Sequence, residues 1–384
     1  MTAITNLPDL RPSLLLDFAN SGRVDPRIQC TRASSATCFG PDGKLRTVAA
    51  NVPRIDHDPV TGKCLGLLSE SQRSNLLTNS LALSGYTQGS NGTYSVGRIG
   101  IDGVTPSMRV VANAIGSVYL ARSVPVVAGA YTVSVYFCAN AKPSRGELLR
   151  AEEIQADGSK IAKVFNFADA SVVADGKWRR YKLTVTHAVA GTVNVYFAVD
   201  PSVGQAIDVC AAQYEAGAFP TSYIPTEASA VTRAGDSLYM EGPTLSSWYR
   251  PDEGSFVIEN TVAGLVPFLA YMPRFNNLGG ADKYMAVRYG QVIGGADFFV
   301  SDVTPQVDSP EYAVTANTPS KFGVAYKVND FASVKDGGTV RTNTAGTVPT
   351  ITRFELSAAQ AGTILRFAYY PKRISNDQLK RLTA

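Results

Sequence analysis

The feature that most constrains the fold is a strict alternation of apolar residues in two near-identical segments. TVSVYFCA begins at Thr132, and TVNVYFAV begins at Thr192. In each segment two valines and a phenylalanine recur at every second position, so they share one face of an extended chain. Such alternation is typical of a β-strand with one buried face. The two segments therefore predict two strands at equivalent places in one β-sandwich.

Further strand patterns surround these segments, with turn residues between them. KVFNF and RRYKLTVTH add two strands, and Trp178 precedes the second one out of phase, as at a strand start or a bulge. ELLRAEEIQADGSKIA has a helical composition, but its Asp157-Gly158 pair and its all-β neighbours favour a hairpin. Strands about every 10–15 residues, separated by turns, predict a jelly-roll sandwich over residues 81–226.

A second series of strand patterns follows the linker-like segment SYIPTEASAVTRAG. It includes SFVIENTV from Ser255 and KFGVAYKVND from Lys321. The order of KFGVAYKVND, ASVKDGG and a Gly-rich bend resembles concanavalin A-like lectin and laminin-G sandwiches, so we expect such a domain over residues 227–384. One short C-terminal helix is predicted from Ser375 to Leu382, because Ser375 suits an N-cap and the charges near both ends suit the helix dipole.

The stretch from Thr31 to Leu77 keeps neither a helical nor a strand period. Turn signals such as GPDG, NVP and DHDP follow one another, with single apolar residues between them. Such a stretch cannot offset its ordering entropy by burying its own surface, so it must lie on something else. It is either a meandering segment packed on its own domain or an extended arm. We expect an all-β fold in which an N-terminal arm, residues 1–80, lies outside both sandwiches.

Composition argues against several classes of function. A net charge of +4, without any Lys/Arg block longer than KWRRYK, argues against a nucleic-acid binder. No run of 18 apolar residues occurs and no secretory signal pattern is present, so no membrane insertion is expected. The five cysteines are irregularly spaced without a CxxC pair, which supports neither a disulfide framework nor a zinc site. Cys138 and Cys210 are expected in the core.

The N-terminal segment also resembles a known group of proteins. The order LDFANSGRVDPRI, TRASSAT, GPDG, AANVPRIDHDP, TG, LGLL and RSNLL over residues 14–80 resembles the opening of tailed-bacteriophage tail-fibre, baseplate and head-fibre proteins. TSYIPT with VTRAGD, and FAYYPKRISNDQLKRL, resemble the same group more loosely. The layout WxxYxLxV followed by QYEAG resembles jelly-roll carbohydrate-binding modules. The resemblance implies a homotrimer and a virion location after assembly in the host cytoplasm. It also implies that the N-terminal arm, residues 1–80, serves virion attachment or subunit exchange through contacts with other virion proteins.

Residues suited to catalysis are few. Of the two histidines, His57 in IDHDPVTG is expected in an Asx turn rather than as an oriented imidazole or cation ligand, and His187 is expected to be half-exposed. Glycoside hydrolysis needs two carboxylates flanking the sugar, but FVIENTV supplies Glu259 alone. Glu152 and Glu153 are adjacent, so on a strand they point to opposite faces. We therefore predict no catalytic residue, no metal site and no cofactor.

Sugar binding needs an aromatic face for stacking and a few amide or carboxylate groups for the hydroxyls. Trp248 and Tyr249 in SSWYRPDEG, with Tyr86 and Tyr94 in GYTQGSNGTYSVG, are the predicted glycan-binding residues. Trp178 is expected in the core. The predicted function is that of a tail-fibre or baseplate component that binds host-surface glycans without cleaving them. The alternatives are a purely structural head fibre or capsid decoration protein, and a polysaccharide depolymerase.

Overall fold

The computed structural model describes residues 11–155, 157–265, 269–357 and 361–384, apart from the side chains of residues 280 and 281. Within these ranges the chain folds into two β-sandwiches with three short helices, which confirms the predicted all-β class. Among the described residues, no helix has both the length and the apolar character needed to cross a membrane.

The N-terminal segment contains short strands separated by turns. In chain order the elements are β1 (Leu14–Asp17), α1 (Phe18–Ser21), β2 (Gln29–Thr31), β3 (Ala36–Phe39), β4 (Leu45–Val48), β5 (Arg54–His57), β6 (Cys64–Ser69) and β7 (Arg73–Asn75). β3 pairs with β4. The αL conformation of Gly22, with φ of 61°, ends α1, a conformation that glycine adopts without steric cost.

The first sandwich is built from the next ten strands. They are β8 (Thr87–Gln88), β9 (Gly92–Ile99), β10 (Pro106–Ala112), β11 (Leu120–Val126), β12 (Gly129–Cys138), β13 (Glu147–Ile154), β14 (Lys160–Asn166), β15 (Arg179–His187), β16 (Gly191–Val199) and β17 (Ala206–Ala216). One sheet has the order β15-β12-β17-β10-β9, and the other has the order β14-β13-β16-β11-β8. The segments at Thr132 and Thr192 lie in β12 and β16, in opposite sheets, and their valines and phenylalanines fill the core between them.

The remaining strands, except the first of them, form the second sandwich together with part of the N-terminal segment. The elements are β18 (Val231–Arg233), β19 (Ser237–Glu241), α2 (Pro243–Ser246), β20 (Glu253–Val262), β21 (Ala270–Asn277), β22 (Gly280–Tyr289), β23 (Gly295–Asp302), β24 (Thr304–Asp308), β25 (Tyr312–Ala313), β26 (Ser320–Lys327), β27 (Asp330–Lys335), β28 (Arg341–Asn343), β29 (Arg353–Ser357), β30 (Gly362–Tyr370) and α3 (Asn376–Thr383). β18 pairs with β7 in a separate two-stranded sheet. One sheet has the order β28-β27-β26-β20-β30-β6-β5, with β1 also paired to β30. The other has the order β2-β19-β29-β21-β22-β23-β24, with β25 beside β23.

The N-terminal segment is therefore not an arm outside both sandwiches. β1 and β6 both pair with β30, and β2 pairs with β19, so the segment contributes strands to both sheets of the second sandwich. This correction concerns the segment from β1 onward, because residues 1–10 lie outside the described ranges. The strands show no period in the sequence because they are only three to six residues long. Their partners also lie far along the chain.

A cluster of buried charges, here called the seam, joins the N-terminal segment to the stretch that links the two sandwiches. The seam consists of Arg32, Arg54, Glu70, Arg233 and Asp236, whose side chains are at most 6% exposed. Asp236 lies 2.8 Å from Arg32 and 2.5 Å from Arg54. Glu70 lies 3.1 Å from Arg54 and 3.6 Å from Arg233. Burial alone would raise the pKa of Glu70, but Arg233, Arg54 and two hydrogen bonds from Ser222 together outweigh it and hold that pKa at about 2.

Several local expectations are confirmed. β13 and β14 form the predicted hairpin, with the turn before Ser159. Ser375 caps α3 and forms a capping box with Gln378. Cys138 and Cys210 are each 1% exposed and therefore lie in the core.

Candidate functional site

Trp248 and Tyr249 lie in the core of the second sandwich. They are 3% and 8% exposed. The Trp248 ring meets Tyr369 at 4.9 Å and Phe354 at 5.3 Å between ring centroids, in edge-on geometry. A sugar cannot stack on a ring that other side chains already cover, so the expectation of a stacking surface at these two residues is wrong. The short helix α2 directs the chain inward here, as its buried Leu245 shows.

Tyr86 and Tyr94 lie in the first sandwich. Tyr86 is 4% exposed and packs against Phe197 and Arg122, so it is also a core residue rather than a stacking surface. Tyr94 in β9 is half-buried, and its hydroxyl accepts a hydrogen bond from the backbone N–H of Tyr119 at 3.0 Å. Of the four predicted residues, only Tyr94 leaves part of its ring near solvent.

The carboxylates considered for hydrolysis do not come together. Glu259 in β20 has Lys321 and Arg366 opposite it in the neighbouring strands. Glu152 contacts a tyrosine and a lysine on the outside of the first sandwich, whereas Glu153 contacts a buried histidine. The prediction that Glu152 and Glu153 point to opposite faces is confirmed.

Both histidines have structural partners. Asp58 accepts hydrogen bonds from two backbone N–H groups that follow it, at 2.9 and 2.7 Å, so the predicted Asx turn beside His57 is confirmed. His187 is 3% exposed, and the expectation of half-exposure is wrong. It is covered because its ring lies between Glu153, at 3.0 Å from Nδ1, and the Tyr214 hydroxyl, at 2.6 Å from Nε2. Among the described residues, no group of three His, Cys, Asp or Glu side chains is placed to hold a metal ion.

The outer side of the second sandwich's β2–β24 sheet carries aromatic and charged residues, and it is here called the open face. The alternate, inward positions of these strands fill the core. Cross-strand register places the outward positions in rows, since residues paired across strands lie on the same face. The open face consists of Tyr239, Glu241, Tyr271, Arg274, Asn276, Tyr284, Arg288, Phe299, Arg353 and Glu355.

Arginines lie over aromatic rings along the open face. The Arg353 guanidinium carbon is 3.5 Å from the ring centroid of Tyr239. That of Arg274 is 4.8 Å from Tyr271 and 4.9 Å from Tyr284. Such contacts contribute about 0.5–1 kcal/mol at exposed sites, and they fix the rings in place. Burial, with Tyr271 nearby, raises the pKa of Tyr284 to about 12, so its hydroxyl remains a hydrogen-bond donor at neutral pH.

Asn276 supplies an unused acceptor in the middle of the open face, opposite Tyr284 and Arg353. It is 7% exposed, and its Nδ2 donates to Glu355 at 2.9 Å. Its Oδ1 accepts no hydrogen bond from any described residue, and Nε of Arg274 likewise donates to none of them. A buried polar atom without a partner costs about 1–3 kcal/mol.

A second concave region lies where the N-terminal segment meets both sandwiches. This cavity of about 450 Å³ is lined by Phe39, Asp56, Tyr136 and Thr363, among others. Asp56 accepts a hydrogen bond from the backbone N–H of Phe39 at 2.7 Å. Burial raises the pKa of Asp56 to about 6. The cavity is a gap between packed units, and its aromatic pair, Phe39 and Tyr136, belongs to an interface cluster.

A sequence signal for the open face does exist. SLYME, KYMAVRYG and RFELS each place core residues at one parity and Tyr, Arg or Glu at the other, whereas in YMPRFNN a register shift between Tyr271 and Arg274 changes the parity partway along the strand. Sequence reasoning missed this second set because it followed aromatic residues in loops, whereas the sheet assembles these side chains from strands far apart in the chain.

No protein-family model matches the chain, and no curated protein matches it. Among solved structures, the Ruminococcus gnavus IT-sialidase CBM40 bound to α2,3-sialyllactose is 15% identical, with 35% of this chain and 83% of that chain covered at a TM-score of 0.30. The CBM22-1–CBM22-2 tandem domain of Paenibacillus barcinonensis Xyn10C is 10% identical, with 77% of this chain and 94% of that chain covered at a TM-score of 0.30. Trypanosoma rangeli sialidase is 11% identical, with 88% of this chain and 64% of that chain covered at a TM-score of 0.33.

The structural neighbours are thus carbohydrate-binding modules and sialidase- or lectin-like β-sandwiches. At these identities and scores the matches identify neither a family nor a ligand for this chain. None of them supports a phage origin.

Proposed function

We propose that this protein is a structural component of a tailed-bacteriophage virion that binds host-surface glycans without cleaving them. The virion part of the proposal is supported by the N-terminal motifs over residues 14–80. The glycan-binding part is supported by the open face. The single observation that carries it is the edge-on pair of half-buried tyrosines, Tyr271 and Tyr284, framed by the part-exposed side chains of Arg274 and Glu355.

The open face offers both kinds of contact that a sugar needs. Tyr271 and Tyr284 meet edge-on at 5.7 Å and present apolar ring surface beside the Asn276 amide. The side chains of Arg274 and Glu355, 23% and 14% exposed, frame this spot with a donor and an acceptor. Aromatic area with a few fixed polar groups is the composition of small-molecule sites in general. A sheet face of this kind suits an extended saccharide chain lying across the strands.

Binding without cleavage fits the carboxylates of the open face. Glu241 and Glu355 lie 3.5 and 3.2 Å from nitrogens of the same residue, Arg353. Glycoside hydrolysis needs one carboxyl group that gives a proton to the leaving sugar. A carboxylate held in an ion pair is a poor proton donor.

A homotrimer would make weak sites effective. Three chains around one axis present three open faces, and simultaneous engagement raises the overall affinity for a repetitive cell surface without any new contact. The trimer is part of the proposal, and light scattering of the purified chain measures it directly.

The test is a glycan array with the full chain, followed by calorimetric titration of the best ligand. Tyr271→Ala and Asn276→Ala are each expected to weaken binding about tenfold, equivalent to about 1.4 kcal/mol. Tyr196→Ala is the matched control, because Tyr196 is a half-buried tyrosine on the outer side of a sheet in the first sandwich. Circular dichroism and thermal melting establish that each variant is folded.

Each contrary result has a defined meaning. A loss of affinity in Tyr196→Ala but not in Tyr271→Ala would refute the open face as the site. No binding to any host glycan, with an antibody to this chain labelling phage heads in electron micrographs, would replace the proposal by a purely structural head fibre. Release of reducing ends from host polysaccharide would replace it by a depolymerase.

A further inference from the structure

A polar pocket of about 430 Å³ opens at an edge of the first sandwich, far in sequence from the open face. It is here called the arginine pocket and is defined by Arg98, Arg109, Asn140, Gln205 and Asp208. β9, β10 and β17, which are neighbours in one sheet, supply Arg98, Arg109 and Asp208. Loops at the same edge supply Asn140 and Gln205.

The arginine pocket has an excess of positive charge. Asp208 is 2% exposed and accepts hydrogen bonds from Nε and Nη2 of Arg109 at 3.1 and 2.9 Å. Nε of Arg98 lies 3.2 Å from the same carboxylate. One carboxylate therefore faces two guanidinium groups. Nearby, Asp175 is neutralised by its own partner, Arg179, at 2.7 Å.

The arginine pocket also has more hydrogen-bond donors than acceptors. Nη1 of Arg109 donates to no atom of the described residues, and the Arg109 side chain is 36% exposed. Asn140 uses its oxygen to accept from Arg98 at 2.7 Å, so its amide N–H groups are the part left for a ligand. Gln205 is anchored by donating to the carbonyl of Ala141. Unused donors beside uncompensated positive charge favour an anionic ligand.

We propose that the arginine pocket binds the carboxylate of an acidic saccharide. Its volume falls in the usual range for small-molecule sites, about 300–1,000 Å³, and exceeds what a bare inorganic anion fills. Its residues are all polar or small, namely Arg98, Arg109, Asn140, Ala141, Gly204, Gln205, Ala206 and Asp208, which suits a hydroxylated ligand rather than an apolar one. This site is separate from the open face and does not depend on the function proposed for it.

The test is titration of the full chain with D-glucuronate, with binding measured by NMR or calorimetry. D-glucose and the methyl ester of D-glucuronate serve as neutral analogues and are expected to bind at least tenfold more weakly. Raising the salt from 20 to 200 mM is expected to weaken glucuronate binding, because an exposed charge interaction is screened. Arg109→Gln is expected to lose at least tenfold in affinity, and Arg109→Lys is expected to be intermediate because it keeps the charge but not the planar fork.

Arg150→Gln is the matched control. Arg150 is a half-buried arginine of the other sheet of the first sandwich, and it holds Glu147 through two bonds of 2.6 and 2.9 Å, much as Arg109 holds Asp208. Its glucuronate affinity is expected to equal that of the unmodified chain. Arg98→Gln replaces Arg109→Gln if the latter does not fold.

Three results would overturn the proposal. One is equal binding of glucose and glucuronate, and another is equal binding of sulfate and glucuronate, which would leave a general anion site. The third is loss of glucuronate binding in Tyr271→Ala with no loss in Arg109→Gln. That result would place the acidic sugar on the open face and would support the proposed function while refuting this site.

Discussion

The seam and the open face use the same residue types, arginines with carboxylates, in two different ways. In the seam the side chains of Arg32 and Arg54 are fully buried, and both carboxylates contact more than one arginine. On the open face the side chain of Arg353 is 16% exposed, and the amide oxygen of Asn276 has no partner among the described residues. In the seam each carboxylate pairs with at least two buried arginines, although Nε of Arg54 and Nε of Arg233 donate to no described residue. Unsatisfied buried atoms therefore occur in both regions, and the difference lies in exposure, because the seam is closed to solvent whereas the open face keeps part of its arginine and tyrosine surface exposed. The difference separates a structural joint from the proposed binding surface.

The seam also explains why the motifs that carry the phage resemblance occur together. TRASSAT supplies Arg32, AANVPRIDHDP supplies Arg54, and VTRAGD supplies Arg233 and Asp236, while Glu70 lies two residues after LGLL. Motifs that are separate in the sequence therefore meet in one cluster. They specify how the N-terminal segment closes onto the second sandwich, which is a structural task. The proposed glycan contacts involve other residues, those of the open face.

The largest expected effect comes from breaking the seam. Arg54→Met should lower the free energy of unfolding by about 3–5 kcal/mol, because it leaves Glu70 and Asp236 buried with fewer partners. The measurement is urea unfolding in a Trp178→Phe background, where Trp248 alone reports on the second sandwich. Arg46→Met is the control, since the Arg46 side chain is 54% exposed, and it should change stability by less than about 0.5 kcal/mol. A loss below about 1 kcal/mol for Arg54→Met would mean that the seam is not a structural joint.

A somewhat smaller effect should follow from acid. The folded-state pKa of Glu70 is held at about 2, below its ordinary value of 4.5, so its contribution is present above pH 4.5 and is lost as pH falls towards 2. Each tenfold difference in proton affinity between the folded and unfolded states corresponds to about 1.4 kcal/mol, so that contribution is at most about 3 kcal/mol. Unfolding free energies measured from pH 5 to pH 2.5 should fall more steeply for the unmodified chain than for Glu70→Gln. Parallel curves would contradict the seam's charge pairing.

Asp56, two residues after Arg54, should behave oppositely. Its folded-state pKa of about 6 lies above its ordinary value of 3.8, so the folded chain binds more protons between these values and stability falls as pH rises through this window. Asp56→Asn should remove that fall and stabilise the chain at pH 7 by up to about 3 kcal/mol. The amide oxygen can still accept from Phe39. If Asp56→Asn instead lowered the free energy of unfolding at pH 7, the Asp56 carboxylate would form a stabilising contact besides its hydrogen bond with Phe39.

The sequence predicts the parts of this fold that depend on patterns within a few residues, and it does not predict the parts that depend on residues far apart in the chain. The strands at Thr132 and Thr192, the hairpin before Ser159 and the helix capped by Ser375 follow from patterns within a few residues, and all were predictable. The pairing of β1 with β30 joins opposite ends of the chain, and no local pattern encodes it. Trp248 was assigned to a surface because its neighbours look like a loop. Its burial depends on α2, which directs the chain inward, and on strands later in the sequence whose side chains cover it.

The smallest expected change in stability belongs to the open face. Arg353→Lys should alter the free energy of unfolding by less than about 1 kcal/mol, because half-exposed ion pairs and cation–π contacts are each worth at most about that much. Glycan affinity should nevertheless fall several-fold, since lysine lacks the planar fork that lies over Tyr239 and between Glu241 and Glu355.

The matched control for this change is Arg341→Lys, since Arg341 lies 3.6 Å over the ring of Tyr312 but is not part of the open face. Calorimetric titration and urea unfolding of both variants should give similar small changes in stability, with a loss of affinity only in Arg353→Lys. If Arg353→Lys instead destabilised the chain as much as Arg54→Met, the open face would be a second structural joint. The contrast between arginines closed off from solvent and arginines that keep exposed surface would then fail.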